Sequence, residues 1–309
     1  MSISTSIGRN DNITDRVKQN SFYRRNRDNI EAWSVIGPVL LYMLIFSIAP
    51  VIFVCYLSFT EWNGFTGLPE WVGVKNYVKM ATPTYLNNIW QTFYIGIIIV
   101  ALTIILPFFG ALLLNLPIKG RDFYRTIWYI PVLTSSAVIS QIVLRIIDPM
   151  TGPLNAALQA IGFERIEWQL STFWMVTFII VFQIWKSLGS GILLYLAGLQ
   201  SIDNSIYEAA IVDGASAVRR LFRITIPLMR PIFSFVIVTS LIAIFQLFDP
   251  IYLISKGEPN GTTSVLVYRL YKDAFTDFQL GMASTISILI LFISLIGTLV
   301  TMKISNEKG

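Results

Sequence analysis

Six long runs of mainly apolar residues constrain this chain more than any other feature of its sequence. Each run is close to the ~20 residues that a helix needs to cross the hydrocarbon core of a bilayer. Charged residues make up 13% of the chain, about half the share that is usual in soluble domains. The sequence therefore predicts an all-α, polytopic membrane protein with six transmembrane helices. The six runs cover approximately residues 33–58, 89–115, 126–146, 172–198, 229–253 and 281–303.

Basic residues are distributed unevenly around these spans, and their distribution predicts the orientation of the chain. Residues 1–31 form a polar, basic tail that is too long for a signal-peptide n-region, so we expect a retained first helix and a transmembrane domain over residues 32–309. With the N-terminus in the cytoplasm, the inside segments hold fifteen Lys and Arg residues and the outside segments hold six. Because positive charge favours the inside loops, we predict that both termini are cytoplasmic.

The longest polar piece in the second half of the chain lies between the fourth and fifth apolar runs. Ser205 and Glu208 have the S-x-x-E spacing of a capping box, which predicts that a helix begins at Ser205. Ala209 and Ala210 are small enough for another surface to approach the backbone closely. Gly214 can end the helix in a left-handed turn. These features fit a short docking helix, and an ordinary polar loop with a helical turn is the alternative.

This polar piece, at about residues 203–231, resembles the EAA loop of inner-membrane permease subunits of bacterial ABC importers. The resemblance rests on Glu208-Ala209-Ala210, on Asp213-Gly214-Ala215 and on Pro227-Leu228. The chain is similar to the carbohydrate-type permeases, the family of the maltose and glycerol-phosphate importer subunits, from about residue 33 onward. It departs from the family at Gly257-Glu258-Pro259, where these permeases usually have Gly-Gly-Pro.

The resemblance implies the type I ABC importer permease fold, with the polar piece forming a cytoplasmic coupling helix. It implies a second permease subunit in a heterodimer, two copies of an ATPase that bind ATP and Mg, and an extracytoplasmic substrate-binding protein. A chain of this kind would sit among the lipids of the bacterial cytoplasmic (inner) membrane, carry a sugar or oligosaccharide, and need no cofactor of its own and no nucleic acid. The implied ATPase-coupling residues are Ser205, Glu208, Ala209, Ala210, Asp213, Gly214 and Pro227.

The chain lacks the residue types that many enzymes and nucleotide-binding sites require. It contains no histidine and one cysteine, Cys55, which excludes a histidine-based triad, a histidine metal site and an intrachain disulfide. No G-x-x-x-x-G-K-[ST] phosphate-binding loop occurs, and no glycine is followed directly by lysine. We therefore expect a transport subunit that is not an enzyme, with ATP hydrolysed by a separate polypeptide.

A few polar side chains fall inside the predicted spans, where a charge costs ~2.5 kcal/mol or more and usually faces a cavity or a partner. Gln183 and Lys186 lie in the fourth span, and Gln246 and Asp249 share a helical face near the outer end of the fifth. Hydrogen bonding that only fixes the bundle is one interpretation. The other is a substrate path, in which polar groups bind sugar hydroxyls and rings stack on sugars. Its candidate residues are Gln183, Lys186, Gln246, Phe248, Asp249 and Tyr252.

Three further patterns predict local structure. Arg145 and Asp148 lie three residues apart at the outer end of the third span, a spacing that predicts an ion pair. The sequence LVYRLYKDAF at residues 266–275 has the apolar spacing of an amphipathic helix, which we place on the outer surface. Gly189 and Gly191 inside the fourth span predict close packing against a neighbouring helix.

Three other functions stay open at this point. An ABC permease for a different cargo, such as glycerol phosphate, an acidic sugar or a peptide, would have the same architecture. An ion-coupled secondary transporter should show inverted repeats and broken helices, and the sequence shows neither. A membrane-embedded enzyme would need an acid, base, nucleophile or metal set, which the scattered carboxylates do not provide.

Overall fold

Helices predominate in the computed structural model, which describes residues 32–306. Among these residues the only strands are two of two residues each. Four helices are long and apolar enough to span a bilayer, and two bent helix pairs raise the number to six if each pair is one span. The all-α prediction with six spans is therefore confirmed. The basic tail at residues 1–31 lies outside the described residues.

The first candidate span, α1 (Ala32–Leu57), contains a π-helical turn at Leu44–Ile48. Pro50 follows this turn and has no amide hydrogen to donate to the carbonyl four residues earlier. The amide of Ala49 donates to the Leu44 carbonyl instead, one residue beyond the α-helical pattern. Residues 32–56 belong to one unit, and all the elements that follow α1 belong to a second unit.

A small hairpin opens the second unit. Strands β1 (Thr60–Glu61) and β2 (Glu70–Trp71) pair antiparallel, and the short helix α2 (Lys75–Lys79) follows. The side-chain amide of Asn76 is buried and donates to the carbonyl of Thr60 at 2.8 Å. Because this amide finds a partner at depth, it fixes α2 against the hairpin.

Two long helices, α3 (Pro83–Asn115) and α7 (Thr172–Gln200), pack along each other in the centre of this unit. Small residues allow the close approach: a Cβ on Gly191 would lie 2.8 Å from the ring of Pro107. The predicted role of Gly191 in helix packing is therefore confirmed. The apolar core between these helices and the start of the fifth span consists of Phe108, Ala111, Leu114, Ile192, Tyr195, Leu196, Leu199, Met229 and Val236.

The third span is broken. Its two helices, α4 (Arg121–Leu133) and α5 (Ser136–Ile146), meet at 94°. Lys186 of α7 donates to the backbone carbonyl of Thr134 at the break, with 2.9 Å between the two atoms. Gly189, one turn along α7, lies so close to α4 that a Cβ would collide with the carbonyl of Trp128. The expectation of unbroken spans was wrong here, because a residue from another helix satisfies the interrupted backbone.

The carboxylate of Asp148 holds the turn after α5, although the sequence predicts that it pairs with Arg145. Asp148 accepts hydrogen bonds from the amides of Met150 and Thr151, at 2.9 and 2.7 Å, and forms no salt bridge with Arg145 among the described residues. The bonds from Thr151 and Met150 lower the pKa of Asp148. The predicted ion pair was therefore wrong, because nearby backbone amides satisfy the carboxylate. The short helix α6 (Pro153–Ala160) follows this turn.

Three helices lie between α7 and the outer part of the fifth span. They are α8 (Asn204–Val212), α9 (Ala217–Leu228) and α10 (Arg230–Ile244), and α9 and α10 meet at 66°. Pro227 and Pro231 flank this bend. Since each proline removes an amide donor and its ring crowds the preceding turn, the bend follows from the local sequence.

The fifth span does not continue as a regular helix to residue 253. After α10 the chain turns irregularly until a π-helical turn at Ile251–Ser255. Pro250 cannot donate to the carbonyl of Gln246, which accepts from the amide of Phe248 at 2.8 Å instead. Gln246 and Asp249 therefore do not share the face of a regular helix, and that prediction was wrong.

The last two helices are α11 (Leu266–Phe275) and α12 (Leu280–Asn306). The bounds of α11 match the predicted amphipathic segment, so that helix is confirmed. Arg269 forms a salt bridge with the fully buried Asp273, and the hydroxyl of Tyr85 donates to the same carboxylate at 3.0 Å. This network fastens α11 to the beginning of α3.

Candidate coupling segment and translocation groove

We define the coupling segment as residues 203–231. Its first helix, α8, begins two residues earlier than the capping box predicts. The N-cap of α8 is Asp203, whose side chain accepts from the amide of Ser205 at 2.9 Å. This bond favours the ionised carboxylate and lowers the pKa of Asp203. Ser205 lies inside the first turn, and Glu208 makes no capping bond to a described residue. Aspartate caps a helix as well as serine and also suits the positive end of the helix dipole, which explains the shift.

The end of α8 matches the prediction. Gly214 has φ +76°, in the left-handed region that favours glycine. Its amide donates to the carbonyl of Ile211 at 3.0 Å, and the amide of Ala215 donates to Ala210 at 2.9 Å. These two bonds form a Schellman motif with Asp213 at the C-cap. Helix α8 therefore ends at a defined residue.

The two alanines of α8 face different surroundings. Ala210 is 8% exposed and packs within its own chain, whereas Ala209 is exposed. Large apolar side chains are exposed beside Ala209, with Ile211 at 56% and Val212 at 88%. These side chains have no cover among the described residues. Of the two alanines, only Ala209 is open to contact from outside the chain.

Hydrogen bonds within the coupling segment join α8 to α9 and fix the turn between them. The hydroxyls of Tyr207 and Thr225 are 3.0 Å apart, and Arg220 donates to the carbonyl of Ala215 at 3.1 Å. Pro227 lies just before the 66° bend and is partly buried. Displacement of α8 would therefore act on the bend through Thr225 and the turn that precedes Pro227.

A groove of about 330 Å³ lies between α3, α7 and α10, and six of its twelve lining residues are polar and six are apolar or glycine. We call it the polar groove after the six polar side chains. Gln183 of α7 lines it, and its amide makes no hydrogen bond to any residue that the structure describes. Ser187 and Ser190 continue the polar stripe along α7 at positions four and seven residues after Gln183. The hydroxyls of the facing helices that line the groove belong to Thr103, Thr239 and Ser240.

Of these six polar groups, the sequence predicted only Gln183 as a path residue. The remaining five are hydroxyls, which occur so often in membrane helices that none of them stands out alone. The spacing of Gln183, Ser187 and Ser190 at i, i+4 and i+7 is the signal that could have revealed the stripe. The groove also needs Thr103 and Ser240, and the spacing on one helix does not identify residues on its neighbours.

Lys186, predicted as a path residue, lies elsewhere. Its ammonium group donates to the carbonyl of Thr134 at the break between α4 and α5, and it does not line the groove. The hydrogen bond places a positive charge at the C-terminal end of α4, where the helix dipole favours it. The geometry indicates a structural role for this lysine.

The predicted path residues of the fifth span form a separate site after α10. Phe248 and Tyr252 stack with 5.1 Å between ring centroids, and Tyr271 of α11 contacts both rings. Gln246 and Asp249 are exposed next to these rings. None of the four predicted residues lines the groove. Tyr271 was not among the predicted path residues, because the sequence pattern showed only that its helix is amphipathic.

Together these features define an integral membrane subunit with a polar groove between its spans and a capped, projecting helix beside them. The chain belongs to the family of binding-protein-dependent transport system inner membrane components, whose family model matches residues 108–305. It is therefore a permease component of a transport system, as the resemblance of the EAA-like loop implies.

Two relatives are similar over almost their whole length. The probable ABC transporter permease protein YesP of Bacillus subtilis (strain 168) is 35% identical over 300 residues, which cover 96% of each chain. The arabinooligosaccharides transport system permease protein AraP of the same organism is 29% identical over 278 residues, which cover 88% of each chain.

A solved structure shows the same fold. It is a crystal structure of a bacterial ABC transporter involved in the import of the acidic polysaccharide alginate. The TM-score is 0.80 at 24% sequence identity, and the match covers 93% of this chain and 99% of that one. The predicted ABC importer permease fold is therefore confirmed.

Proposed function

We propose that this chain forms part of the translocation pathway for a sugar or oligosaccharide in an ATP-driven importer. The observation that carries the proposal is the polar groove, whose lining contains five hydroxyl side chains and one amide beside six apolar or glycine residues, with no charged residue. A groove of about 330 Å³ is within the size range of small-molecule sites. Its position among three predicted spans suits a path across the membrane.

The hydroxyls of the groove are arranged as acceptors. Ser190 donates to the carbonyl of Ser187 at 2.8 Å, and Thr239 donates to that of Phe235 at 2.9 Å. Because their hydrogens are used within the helices, their lone pairs face the groove as acceptors for the hydroxyls of a sugar. Gln183 adds both a donor and an acceptor, so a passing sugar ring would meet partners of both kinds.

A neutral cargo suits this lining better than an acidic one. The relative AraP is named for arabinooligosaccharides, which supports a sugar, whereas the structure with the same fold belongs to an importer of acidic alginate. An anionic cargo such as glycerol phosphate or an acidic sugar would need a cation in the path. Lys186, the only basic residue among the predicted path residues, is bonded to Thr134 outside the groove.

The first experiment removes the amide of Gln183. We expect Gln183→Leu to raise the KM for uptake of an arabinose oligosaccharide about fivefold, since one lost hydrogen bond is worth roughly 1 kcal/mol. Uptake is measured in proteoliposomes that hold the complete importer. The matched control is Thr177→Val on the same helix, because Thr177 bonds the carbonyl of Phe173 and does not line the groove.

An equal effect of both substitutions, or none from Gln183→Leu, would refute the groove as the path. Competition with charged and neutral oligosaccharides separates the two cargo classes. Alginate oligomers that compete better than neutral ones would favour the acidic alternative.

The coupling segment is the proposed contact for the ATPase. We place α8 on the cytoplasmic side, with both chain termini, because basic residues are concentrated in the segments on that side. Two copies of an ATPase, which bind ATP and Mg, would contact the exposed face around Ala209, Ile211 and Val212. A second, different permease subunit would complete the path, and an extracytoplasmic binding protein would deliver the sugar. This chain itself would need no cofactor.

A bulky residue at Ala209 tests the ATPase contact. Ala209→Trp should leave insertion and assembly intact but reduce ATP-driven uptake more than about tenfold, because overpacking a contact costs ~1–3 kcal/mol. Ala156→Trp on α6 is the control, since Ala156 is also exposed on a short helix. Normal uptake by Ala209→Trp would exclude α8 as the coupling element.

A further inference from the structure

A larger cavity, of about 900 Å³, lies where the C-terminal end of α3 meets the coupling segment. Its walls come from α3, the first residue of α4, the end of α7, and helices α8 and α9. We call it the arginine cavity because Arg121 and Arg220 line it. It is separate from the polar groove, with which it shares no lining residue.

One wall of the arginine cavity is apolar and opens sideways. It consists of Phe109 and Leu113 of α3 and of Leu116, the residue that follows this helix. Their side chains are 55%, 64% and 53% exposed, respectively. Exposed apolar residues at the end of a membrane span face lipid chains. An acyl chain along this wall would contact side chains that no other described residue covers.

The opposite part of the cavity is positively charged. The amide oxygen of Gln200 accepts from Arg121 and, at 3.1 Å, from Arg125. The Nε atoms of both arginines are buried and have no hydrogen-bond partner among the described residues. Arg220 uses one N–H group on the carbonyl of Ala215, and an arginine has five such donors.

No carboxylate among the described residues lines the arginine cavity. The positive charges of Arg121 and Arg220 are therefore not neutralised within it, and the N-terminal end of α4 adds the positive end of a helix dipole. An anion is the ligand that this charge favours, and a phosphate accepts the forked donors of arginine well.

The length of α3 bears on the depth of the cavity. Helix α3 has 33 residues and is about 50 Å long, whereas the hydrocarbon core is about 30 Å thick. Because basic residues follow this helix, we expect its C-terminal end to reach the headgroup region. Arg121 follows that end by a few residues, so we expect it near the level of lipid phosphates.

We infer that the arginine cavity binds one anionic phospholipid, with its phosphate in the arginine part and an acyl chain along the exposed wall of α3. Tyr207 and Ile211 of α8 also line the cavity, so the lipid would contact the bundle and the coupling segment at once. The bound lipid would keep α8 aligned with the spans to which, in the proposed function, α8 transmits the movement of the ATPase. A free phosphate shares the headgroup chemistry but would gain nothing from the apolar wall.

Native mass spectrometry of the purified assembly tests this inference. The assembly is released from nanodiscs that contain equal amounts of phosphatidylglycerol and phosphatidylcholine, and the lipids that stay bound are counted. We expect retained phosphatidylglycerol on the wild-type chain and about fivefold less on Arg121→Gln and on Arg220→Gln, because one basic residue near the membrane surface contributes about that factor.

The control is Arg219→Gln, which removes the same charge from an exposed neighbour that does not line the cavity. Arg121→Lys keeps the charge and should retain most of the lipid, which separates charge from folding. Equal retention by Arg219→Gln and Arg220→Gln would overturn the inference. Binding of inorganic phosphate that depends on the arginines and is as tight as that of phosphatidylglycerol would also overturn it, because the apolar wall would then contribute nothing.

Discussion

The break between α4 and α5 and the break between α9 and α10 interrupt two spans of the same unit, at 94° and 66°. The second break has a local cause, since Pro227 and Pro231 flank it. The first break depends on a distant residue, because Lys186 of α7 donates to the carbonyl of Thr134. The same kind of bend is thus encoded once within its own segment and once by a neighbouring helix.

The first break shows how two unfavourable groups can satisfy each other. A backbone carbonyl without a partner costs several kcal/mol in the membrane, and a charged lysine inside a span is also costly. At Thr134 the carbonyl gains a donor, and Lys186 gains an acceptor at the negative end of a helix. Pro131 lies within α4, before the break, and does not mark its position.

The difference between the two breaks predicts different sensitivities to mutation. A bend that depends on contacts with another helix should fail when those contacts are altered. A bend caused by two prolines should tolerate the loss of one of them. Three substitutions test this difference.

The largest effect should come from Gly189→Ala. In most helices this change adds about 1 kcal/mol of stability, but here the new Cβ would collide with the carbonyl of Trp128 in α4. We expect the free energy of unfolding to fall by about 3 kcal/mol, the upper part of the range for overpacking. Titration with a denaturing detergent measures it. Gly297→Ala in α12 is the control because nothing lies within 4 Å of that Cβ position. A similar rise in the free energy of unfolding for Gly189→Ala and Gly297→Ala would contradict the close contact between α7 and α4.

Lys186→Met should have the next largest effect. The substitution keeps the length of the side chain and leaves the carbonyl of Thr134 without its donor, which should cost about 2 kcal/mol of stability. Hydrogen exchange at the first amides of α5 should also become faster. Lys186→Arg, which can still donate, should restore most of both properties. If Lys186→Met is neutral and exchange is unchanged, the lysine does not hold the break.

The same contrast explains which parts of the fold follow from the sequence. Apolar length predicts the spans, and the apolar period of α11 predicts that helix within its observed bounds. The stop at Gly214 is also visible, because a left-handed turn at a helix end needs a glycine. These features depend on nearby residues or on composition alone.

Features that depend on competition or on distant partners were not predicted. Ser205 lost the N-cap position to Asp203, which lies two residues earlier and offers a charged acceptor. Asp148 bonds the backbone amides of Met150 and Thr151, in the turn that follows it, and not Arg145. The groove was missed because its hydroxyls come from α3, α7 and α10. Spacing along one helix contains no information about which face another helix presents.

The smallest effect should come from Pro227→Ala. Alanine restores an amide that can continue the helix, while Pro231 still lacks one, so the bend between α9 and α10 should persist. We expect stability to change by less than about 1 kcal/mol. Spin labels at Val218 and Ile242, in a Cys55→Ser background, report the distance across the bend. That distance should stay the same in Pro227→Ala and increase when Pro231→Ala is added.

If Pro227→Ala alone straightens the span, Pro227 is required for the bend and Pro231 cannot maintain it. If the double variant stays bent, the cause lies in tertiary contacts, and the two breaks are alike.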